Sequence, residues 1–375
     1  MWYNDLRPKG ELIPNKYSLV FIEDDLLMTE ADKKRALEGL IGLKQGINEK
    51  IPKKEVDRNI LLASWNIKEF GHLKERLPES YYYIAEIINA FDIVAIQEIK
   101  SSLDDLEIIM RLLGKDWSYV ITDITEGSSG NKERFGYIFD TRRVQHSGLS
   151  GELVVSPEII ATATELDQLK RTPSITGFES GWKKFAIVGV HFHPGNDNDD
   201  QDIRKEEVRM LLEIIKEKLE KNHLWNENLV ILGDTNLYND NTDIVSLFTE
   251  ADFIESQGLI NKPTNTSLTE AYDRIFLNVD RYFKLAKDSN GLEKGNVFNL
   301  YNYVLTSANR PLYHDFMLAH KNDPSTLDDD AAFDSYYHRY WKRNQISDHL
   351  PVWIEIEADS SPDFLTSKMN KINLS

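Results

Sequence analysis

Five short polar groups stand where apolar segments of this chain end or begin. They are SWN at 64–66, QE at 97–98, VHFHP at 190–194, GDTN at 233–236 and SDH at 347–349. Each group is a weak signal alone, because an asparagine after a strand is usually a turn residue and an Asp-His pair commonly caps or packs. Five of them at strand ends, where open α/β proteins bind ligands, predict a single site.

The residue types in these groups favour one kind of chemistry. Their carboxylates and amides supply only oxygen ligands, which suit Mg²⁺, Mn²⁺ or Ca²⁺ better than a softer transition metal. His191 and His349 could transfer protons or donate to a charged oxygen. No serine or cysteine nucleophile motif accompanies them, so the set indicates hydrolysis of a phosphate ester by a metal-activated water. The oxygen-bearing candidates are Asn66, Glu98, Asp234, Asn236 and Asp348.

Strand and helix patterns alternate from Asn59 onward and would position these groups. The helix patterns are YYYIAEIINAF, LDDLEIIMRLLG and DQDIRKEEVRMLLEIIKEKLEKN, the last with apolar residues on one face. Eight segments rich in β-branched residues predict strands, several of them buried on both faces. This alternation predicts an α/β sandwich with the sheets in the middle. The strand segments are NILLASWNI, DIVAIQEI, WSYVITDI, RFGYIFD, KFAIVGVHFH, NLVILGDTN, RIFLNVD and VWIEIEA.

The sequence divides into a main domain with two additions and a tail. Residues 1–58 form an N-terminal extension whose helix is predicted to begin after Thr29. The main domain covers 59–360 and contains an insertion at about 281–345, which ends in the basic and aromatic stretch YYHRYWKRN. Residues 361–375 form a C-terminal tail. The extension and the insertion could be packing elements or could recruit a partner or restrict substrate entry, and packing is favoured.

The composition of the chain excludes several classes of protein and of binding site. The chain has 375 residues with 41% hydrophobic and 28% charged residues, as in ordinary globular proteins. Its net charge of −18 argues against nucleic-acid binding by general electrostatics, although bound divalent cations would invert the local sign. The absence of cysteine excludes disulfides and thiolate metal sites. No signal peptide or membrane-spanning run is recognisable, which predicts an intracellular, cytoplasmic location without membrane association.

The order SWN, QE, VHFHP, GDTN and SDH resembles the endonuclease/exonuclease/phosphatase superfamily, most closely its deoxyribonuclease I-like branch. The resemblance covers about residues 59–358 in order, apart from the insertion. It implies a four-layered α/β sandwich in which two packed mixed sheets are flanked by helices. AYDRI at 271–275 is similar to the segment that carries the partner of the second catalytic histidine, which implies that Asp273 supports His349. NKERFGYIFD at 131–140 is similar to the segment that implies Glu133 behind His191.

The resemblance also implies the remaining roles. Glu98, Asn66, Asp348 and Asp234 would hold Mg²⁺ or Mn²⁺, with Ca²⁺ as a further candidate. Asp234 would orient or activate the attacking water, and one of the two histidines, which the sequence does not distinguish, would protonate the leaving oxygen. His191, Asn236 and the Asn66 amide would donate to the charged phosphate. Arg171, Lys100 and Arg134 would bind nucleic acid, most consistently DNA.

The sequence departs from the deoxyribonuclease I-like branch at two positions and leaves two alternative functions open. Asn131 stands where the branch's secreted members have a minor-groove tyrosine, and Lys100 replaces an arginine and its bidentate fork. The leading hypothesis is a DNA endonuclease that nicks duplexes. One alternative keeps the chemistry on a phosphoinositide, a sphingolipid or another small phosphate ester, and the other is a non-catalytic binding or scaffold module.

Overall fold

Two six-stranded sheets pack face to face in the computed structural model, which describes residues 1–11, 20–21, 26–73, 75–125, 132–163, 166, 168–221 and 228–373. The strand order is β11-β12-β1-β2-β4-β3 in the first sheet and β5-β6-β7-β8-β10-β9 in the second. The strands are β1 Asn59–Phe70, β2 Ile93–Ile99, β3 Trp117–Ile121, β4 Arg134–Asp140, β5 Gln145–Glu152, β6 Ser174–Ser180, β7 Lys183–His191, β8 Leu229–Asp234, β9 Ile254–Glu255, β10 Asp273–Asn278, β11 Gly295–Val297 and β12 Val352–Glu357.

The central strands are buried on both faces, as their continuous apolar sequences predict. Alternate residues of each strand face the other sheet. Leu62 and Ile93 from the first sheet share a core with Ile187 and Leu232 from the second. Residues between them along the chain, such as Ala63 and Val188, face the helices instead. The predicted α/β sandwich with two central sheets is confirmed.

Helices cover both outer faces of the sandwich. Helices α1, α2 and α3 pack on the first sheet, and α5 and α6 pack on the second. The helices are α1 Glu30–Lys50, α2 Pro78–Asn89, α3 Asp104–Leu113, α4 Pro157–Ile160, α5 Asn198–Glu220, α6 Thr242–Glu250, α7 His314–His320, α8 Asp330–Tyr336, α9 Lys342–Gln345 and α10 Ser361–Asn373. None of these helices is long and apolar enough to span a membrane.

The N-terminal helix and the insertion pack together over α2. Thr29 and Asp32 form a reciprocal capping box that begins α1. The Arg35 guanidinium of α1 pairs with buried Glu79 of α2 and lies 5.5 Å from the ring centroid of Tyr313 in the insertion. Gly39 of α1 lies so close to Tyr83 of α2 that a Cβ would clash with its ring. Both additions therefore complete the core over the first sheet.

The aromatic residues of YYHRYWKRN, at the end of the insertion, have different environments. Tyr337 and Trp341 are buried in the core of the first sheet, whereas Tyr340 is 57% exposed. The stretch continues through a single π-helical turn, Tyr337–Trp341, directly into α9. Its aromatic residues are thus divided between packing and surface, and α9 leads the chain into the SDH group.

Candidate active site

Strand directions bring the polar groups to one edge of the sandwich. The parallel pairs β1–β2 and β7–β8 end together, with Asn66 opposite Gln97 and His191 opposite Asp234. The antiparallel strand β10 begins there with Asp273 opposite Asp234. Strands β4 and β12 begin at the same edge, beside the ends of β2 and β1, after Glu133 and His349. The alternating directions therefore gather residues that are far apart in the chain.

His191 lies against Glu133 at this edge. Its Nδ1 is 3.0 Å from Oε2 of Glu133, although the two atoms are not aligned as a hydrogen bond. Glu133 also accepts from Arg171 Nε at 3.1 Å and from Lys100 Nζ at 3.1 Å. Burial acts to raise the pKa of Glu133, but His191, Arg171 and Lys100 outweigh it and hold that pKa well below its usual range. Glu133 is therefore an ionised partner for His191.

His349 has its own carboxylate. Its Nδ1 is hydrogen bonded to Oδ2 of Asp273 at 2.9 Å, which leaves Nε2 facing the site. Burial lowers the pKa of His349, but Asp273 and Asp234 raise it by more, so that it lies well above the usual value. Asp273 is itself fully buried on β10. Asp273 and Asp234 thus favour the protonated form of His349.

Asp234 stands between the two histidines. Its Oδ2 lies 3.6 Å from Nε2 of His191 and 3.5 Å from Nε2 of His349. The same oxygen accepts a hydrogen bond from Nδ2 of Asn66 at 3.0 Å. The other oxygen, Oδ1, accepts from the backbone of Asn236 at 3.1 Å. Asp234, at the end of β8, therefore contacts both Asn66 of the first sheet and His191 of the second sheet.

Glu98 and Asn66 adjoin Asp234 from the first sheet. Nδ2 of Asn66 donates to Oε1 of Glu98 at 3.0 Å, and the backbone of Glu69 donates to Oε2 at 2.8 Å. Oδ1 of Asn66 is buried without a partner, which is costly unless a cation or a donor occupies the site. The donor set of carboxylates and one free amide oxygen fits a hard divalent cation. Among the residues that the structure describes, two clusters have metal-ligating geometry, Glu98 with Glu133 and His191, and Asp234 with Asp273 and His349.

Unusual backbone conformations position two of these side chains. Glu98 has a φ of 61° and Asn236 a φ of 49°, both in the left-handed region that non-glycine residues seldom adopt. Nδ2 of Asn236 donates to the carbonyl of Phe192 at 3.0 Å, which ties the GDTN turn to the loop after His191. Gly233 has a φ of 142°, and a Cβ at this position would clash with the Val190 carbonyl. Such strain is common at functional sites.

The remaining predicted residues have other neighbours. The carboxylate of Asp348 lies 3.8 Å from Nζ of Lys68 and is part of neither metal-ligating cluster. Arg134 donates to the carbonyls of Lys100 and Ser101 at 2.8 and 3.1 Å. Lys100 and Arg171 point to Glu133, so all three predicted substrate-binding cations make intramolecular contacts. Asn131 lies outside the described residues.

Two supporting residues were not singled out from the sequence. Ser347 donates from Oγ to the Asn66 carbonyl at 2.6 Å and accepts from the backbone of His349 at 3.0 Å. Its place in the SDH group was a usable signal. Arg204 of α5 is fully buried and donates to the His193 and Gly195 carbonyls at 2.8 and 3.0 Å and to Asn241 at 3.1 Å. It looks like a surface residue of a charged helix, so no sequence signal marked it.

Comparison with known sequences finds relatives of one kind. No family model matches the chain. The chain is 26% identical to bovine (Bos taurus) deoxyribonuclease-1 over 236 residues, which cover 58% of this chain and 76% of that protein. It is 23% identical to human deoxyribonuclease gamma over 335 residues, covering 82% of this chain and 88% of that protein. The resemblance to the deoxyribonuclease I-like branch of the endonuclease/exonuclease/phosphatase superfamily is confirmed.

A solved structure of an endonuclease/exonuclease/phosphatase family protein from Bacteroides thetaiotaomicron aligns with 80% of this deoxyribonuclease I-like chain and 98% of its own. The TM-score is 0.49 and the identity 16%. The sequence relatives and the sandwich fold support a phosphodiesterase of this superfamily, which is a hydrolase.

Proposed function

We propose that this deoxyribonuclease I-like protein is a divalent-metal-dependent DNA endonuclease that nicks duplexes. The observation that carries the proposal is the convergence of two histidines on one oxygen. Nε2 of His191 and Nε2 of His349 both lie within 3.6 Å of Oδ2 of Asp234, and each imidazole has a carboxylate behind it. The Asp234 carboxylate can accept a proton, and the two imidazoles beside it can transfer protons. This arrangement suits the hydrolysis of a phosphodiester by water.

The site residues also fit the predicted cation. Glu98, Asn66, Asp234 and Asp348 would hold Mg²⁺ or Mn²⁺. When bound, the ion would neutralise charge on the phosphate oxygens. The Asn66 oxygen without a partner supports this assignment, because a buried amide oxygen otherwise pays an uncompensated desolvation cost.

The chain's own residues account for the proton movements. Asp234 would orient the attacking water and accept its proton as the water oxygen bonds to phosphorus. A histidine would donate its proton to the leaving oxygen as the second phosphorus–oxygen bond breaks. His349 is favoured as this acid, because Asp273 and Asp234 keep it protonated. His191 and Asn236 would then donate to the phosphate oxygens, whose negative charge rises in the transition state.

The choice of DNA rests on the similarity to proteins named deoxyribonucleases. The prediction that Arg171, Lys100 and Arg134 bind nucleic acid has the same grounds, although in the structure Arg171 and Lys100 pair with Glu133 and Arg134 donates to backbone carbonyls. A cytoplasmic location stays a prediction from the sequence.

Incubation of the purified protein with supercoiled plasmid and Mg²⁺ or Mn²⁺ tests the proposal. Nicked circles should form with metal, and EDTA or His349→Ala should abolish them. The folded wild-type protein could instead fail to cleave DNA and release phosphate from a phosphoinositide or a sugar phosphate. That result would identify a small phosphate ester as the substrate of the same site. Absence of hydrolysis of every substrate would favour the binding-module hypothesis.

A further inference from the structure

Two cationic side chains lie beside the loop that carries Asp348 and His349. Lys68, at the end of β1, has its Nζ 3.8 Å from the Asp348 carboxylate. Arg343, on α9 of the insertion, donates from Nη2 to Oγ of Ser267 at 3.3 Å. The Ser267 loop is held against the catalytic loop, because the backbone of Thr266 donates to the Asp348 carbonyl at 3.0 Å. The Ser267 loop therefore connects Arg343 to the loop that carries His349.

The charge of Arg343 is poorly satisfied. Its contact with Ser267 is long, its Nε is buried without a partner, and no described carboxylate lies within ion-pair distance of it. The next residue, Lys342, is a second cation, with its Nζ 4.7 Å from the centroid of the Tyr301 ring. A partly buried guanidinium without an anionic partner carries a desolvation cost that an arriving anion would offset.

The cations expected to bind nucleic acid are engaged elsewhere. Lys100 and Arg171 neutralise Glu133, and Arg134 donates to backbone carbonyls. The net charge of −18 argues against attraction of a phosphate backbone by the protein as a whole. A strand that reaches the site thus needs local cations. On the His349 side Arg343 has no carboxylate partner among the described residues, and Lys68 adds a second cation whose Nζ lies 3.8 Å from the Asp348 carboxylate.

We propose that Arg343 and Lys68 form a phosphate subsite that binds a backbone phosphate next to the one being hydrolysed. This inference rests on the proposed nuclease function and extends it, because it assigns part of the binding surface to the insertion. Tyr337 and Trp341 are buried and do not stack on bases. The guanidinium of Arg343 and the ammonium of Lys68 would contact phosphate, and such contacts position the strand without reading its sequence.

Binding of a short fluorescent DNA duplex, measured by anisotropy in EDTA so that no cleavage occurs, tests the subsite. The dissociation constant is measured from about 50 to 200 mM salt, where each lost phosphate contact lowers the slope of log K against log salt by about 0.9. Arg343→Ala should weaken binding several-fold and reduce the slope by about that amount. Lys68→Ala should change the slope in the same direction, and Arg343→Lys should restore most of it.

Arg339→Ala is the matched control, because Arg339 is exposed on the same stretch one helical turn away. It should leave the salt slope at the wild-type value. In plasmid nicking, Arg343→Ala should raise KM more than it lowers kcat, and its melting temperature should match that of the control.

The outcomes separate the two proposals. Wild-type nicking with equal salt slopes for Arg343→Ala and Arg339→Ala would overturn the subsite and leave the nuclease function intact. Neither binding nor cleavage of DNA by the wild-type protein would overturn both.

Discussion

The hydrogen bond between Nδ1 of His349 and Oδ2 of Asp273 joins two strands that begin 79 residues apart in the sequence, β10 at Asp273 and β12 at Val352. The bond aims Nε2 of His349 at Asp234. It also leaves the imidazole with a proton to donate, since the buried Asp273 carboxylate raises the pKa of His349. Asp273 therefore controls both the orientation and the charge of the proposed acid.

Asp273→Asn should move the alkaline limb of the kcat/KM profile to lower pH. The amide cannot stabilise the imidazolium, so the pKa of His349 falls and the protonated form is lost earlier as the pH rises. At neutral pH the activity should fall by about 10² or more, within the range of general acid catalysis. The measurement is plasmid nicking between pH 5 and 9, in roughly the interval over which histidine titrates.

Asp200→Asn is the control for that profile. Asp200 contacts His193 at 2.9 Å in an Asp-His pair outside the proposed site. This variant should leave the alkaline limb unchanged, although its capping box with Asp197 is weakened. An unchanged limb in Asp273→Asn would rule out His349 as the acid.

Glu98→Gln should weaken Mn²⁺ or Mg²⁺ binding and lower turnover by orders of magnitude. The substitution preserves the size of the side chain but removes the negative charge of a hard-cation ligand. Calorimetric titration of the metal, with circular dichroism to confirm the fold, measures the effect. Glu107→Gln, on the exposed face of α3, is the matched control. Full activity and unaltered metal affinity in Glu98→Gln would remove Glu98 from the metal site.

Arg171→Ala distinguishes between two roles of that arginine. Arg171 is buried and pairs with Glu133 at 3.1 Å, so its loss should disturb the support of His191 and lower kcat. The salt slope of DNA binding should change less than in Arg343→Ala, because Glu133 already neutralises the Arg171 charge. A slope change of about 0.9 with unaltered kcat would instead identify a direct phosphate contact.

Arg204→Met should destabilise the fold. The substitution removes the donor to the partly buried His193 and Gly195 carbonyls and one of the two donors to Oδ1 of Asn241, which also accepts from the backbone of Tyr238. An unsatisfied buried acceptor costs about 1–3 kcal/mol, and removal of a buried cation offsets part of the loss, so a net loss of about 1–3 kcal/mol is expected in urea unfolding.

Arg209→Met provides the comparison for Arg204→Met on the same helix. Arg209 pairs with Glu206 and Glu213 in partly exposed i,i+3 and i,i+4 bridges, so its loss should cost no more than about 1 kcal/mol. Equal unfolding midpoints for the two variants would contradict a special role for Arg204.

The sequence by itself determined the strands and the residues at their ends. Buried strands need continuous apolar segments, and Asp234 ends such a segment, whereas β1 continues past Asn66 to Phe70. The pairing of Asp273 with His349 followed from the family resemblance, and the structure has the two residues in hydrogen-bond contact. Local periodicity could not have paired them, because it carries no information about contacts between distant segments.

The tertiary structure decided which cationic side chains have a carboxylate partner. Lys100, Arg171 and Arg343 look alike in sequence, yet the first two pair with Glu133 and the third has no carboxylate partner among the described residues. It also decided that Tyr337 and Trp341 pack while Tyr340 is exposed, and that a fully buried Arg204 joins two site loops. The physical reason is that burial and ion pairing depend on which sheets and helices meet in space.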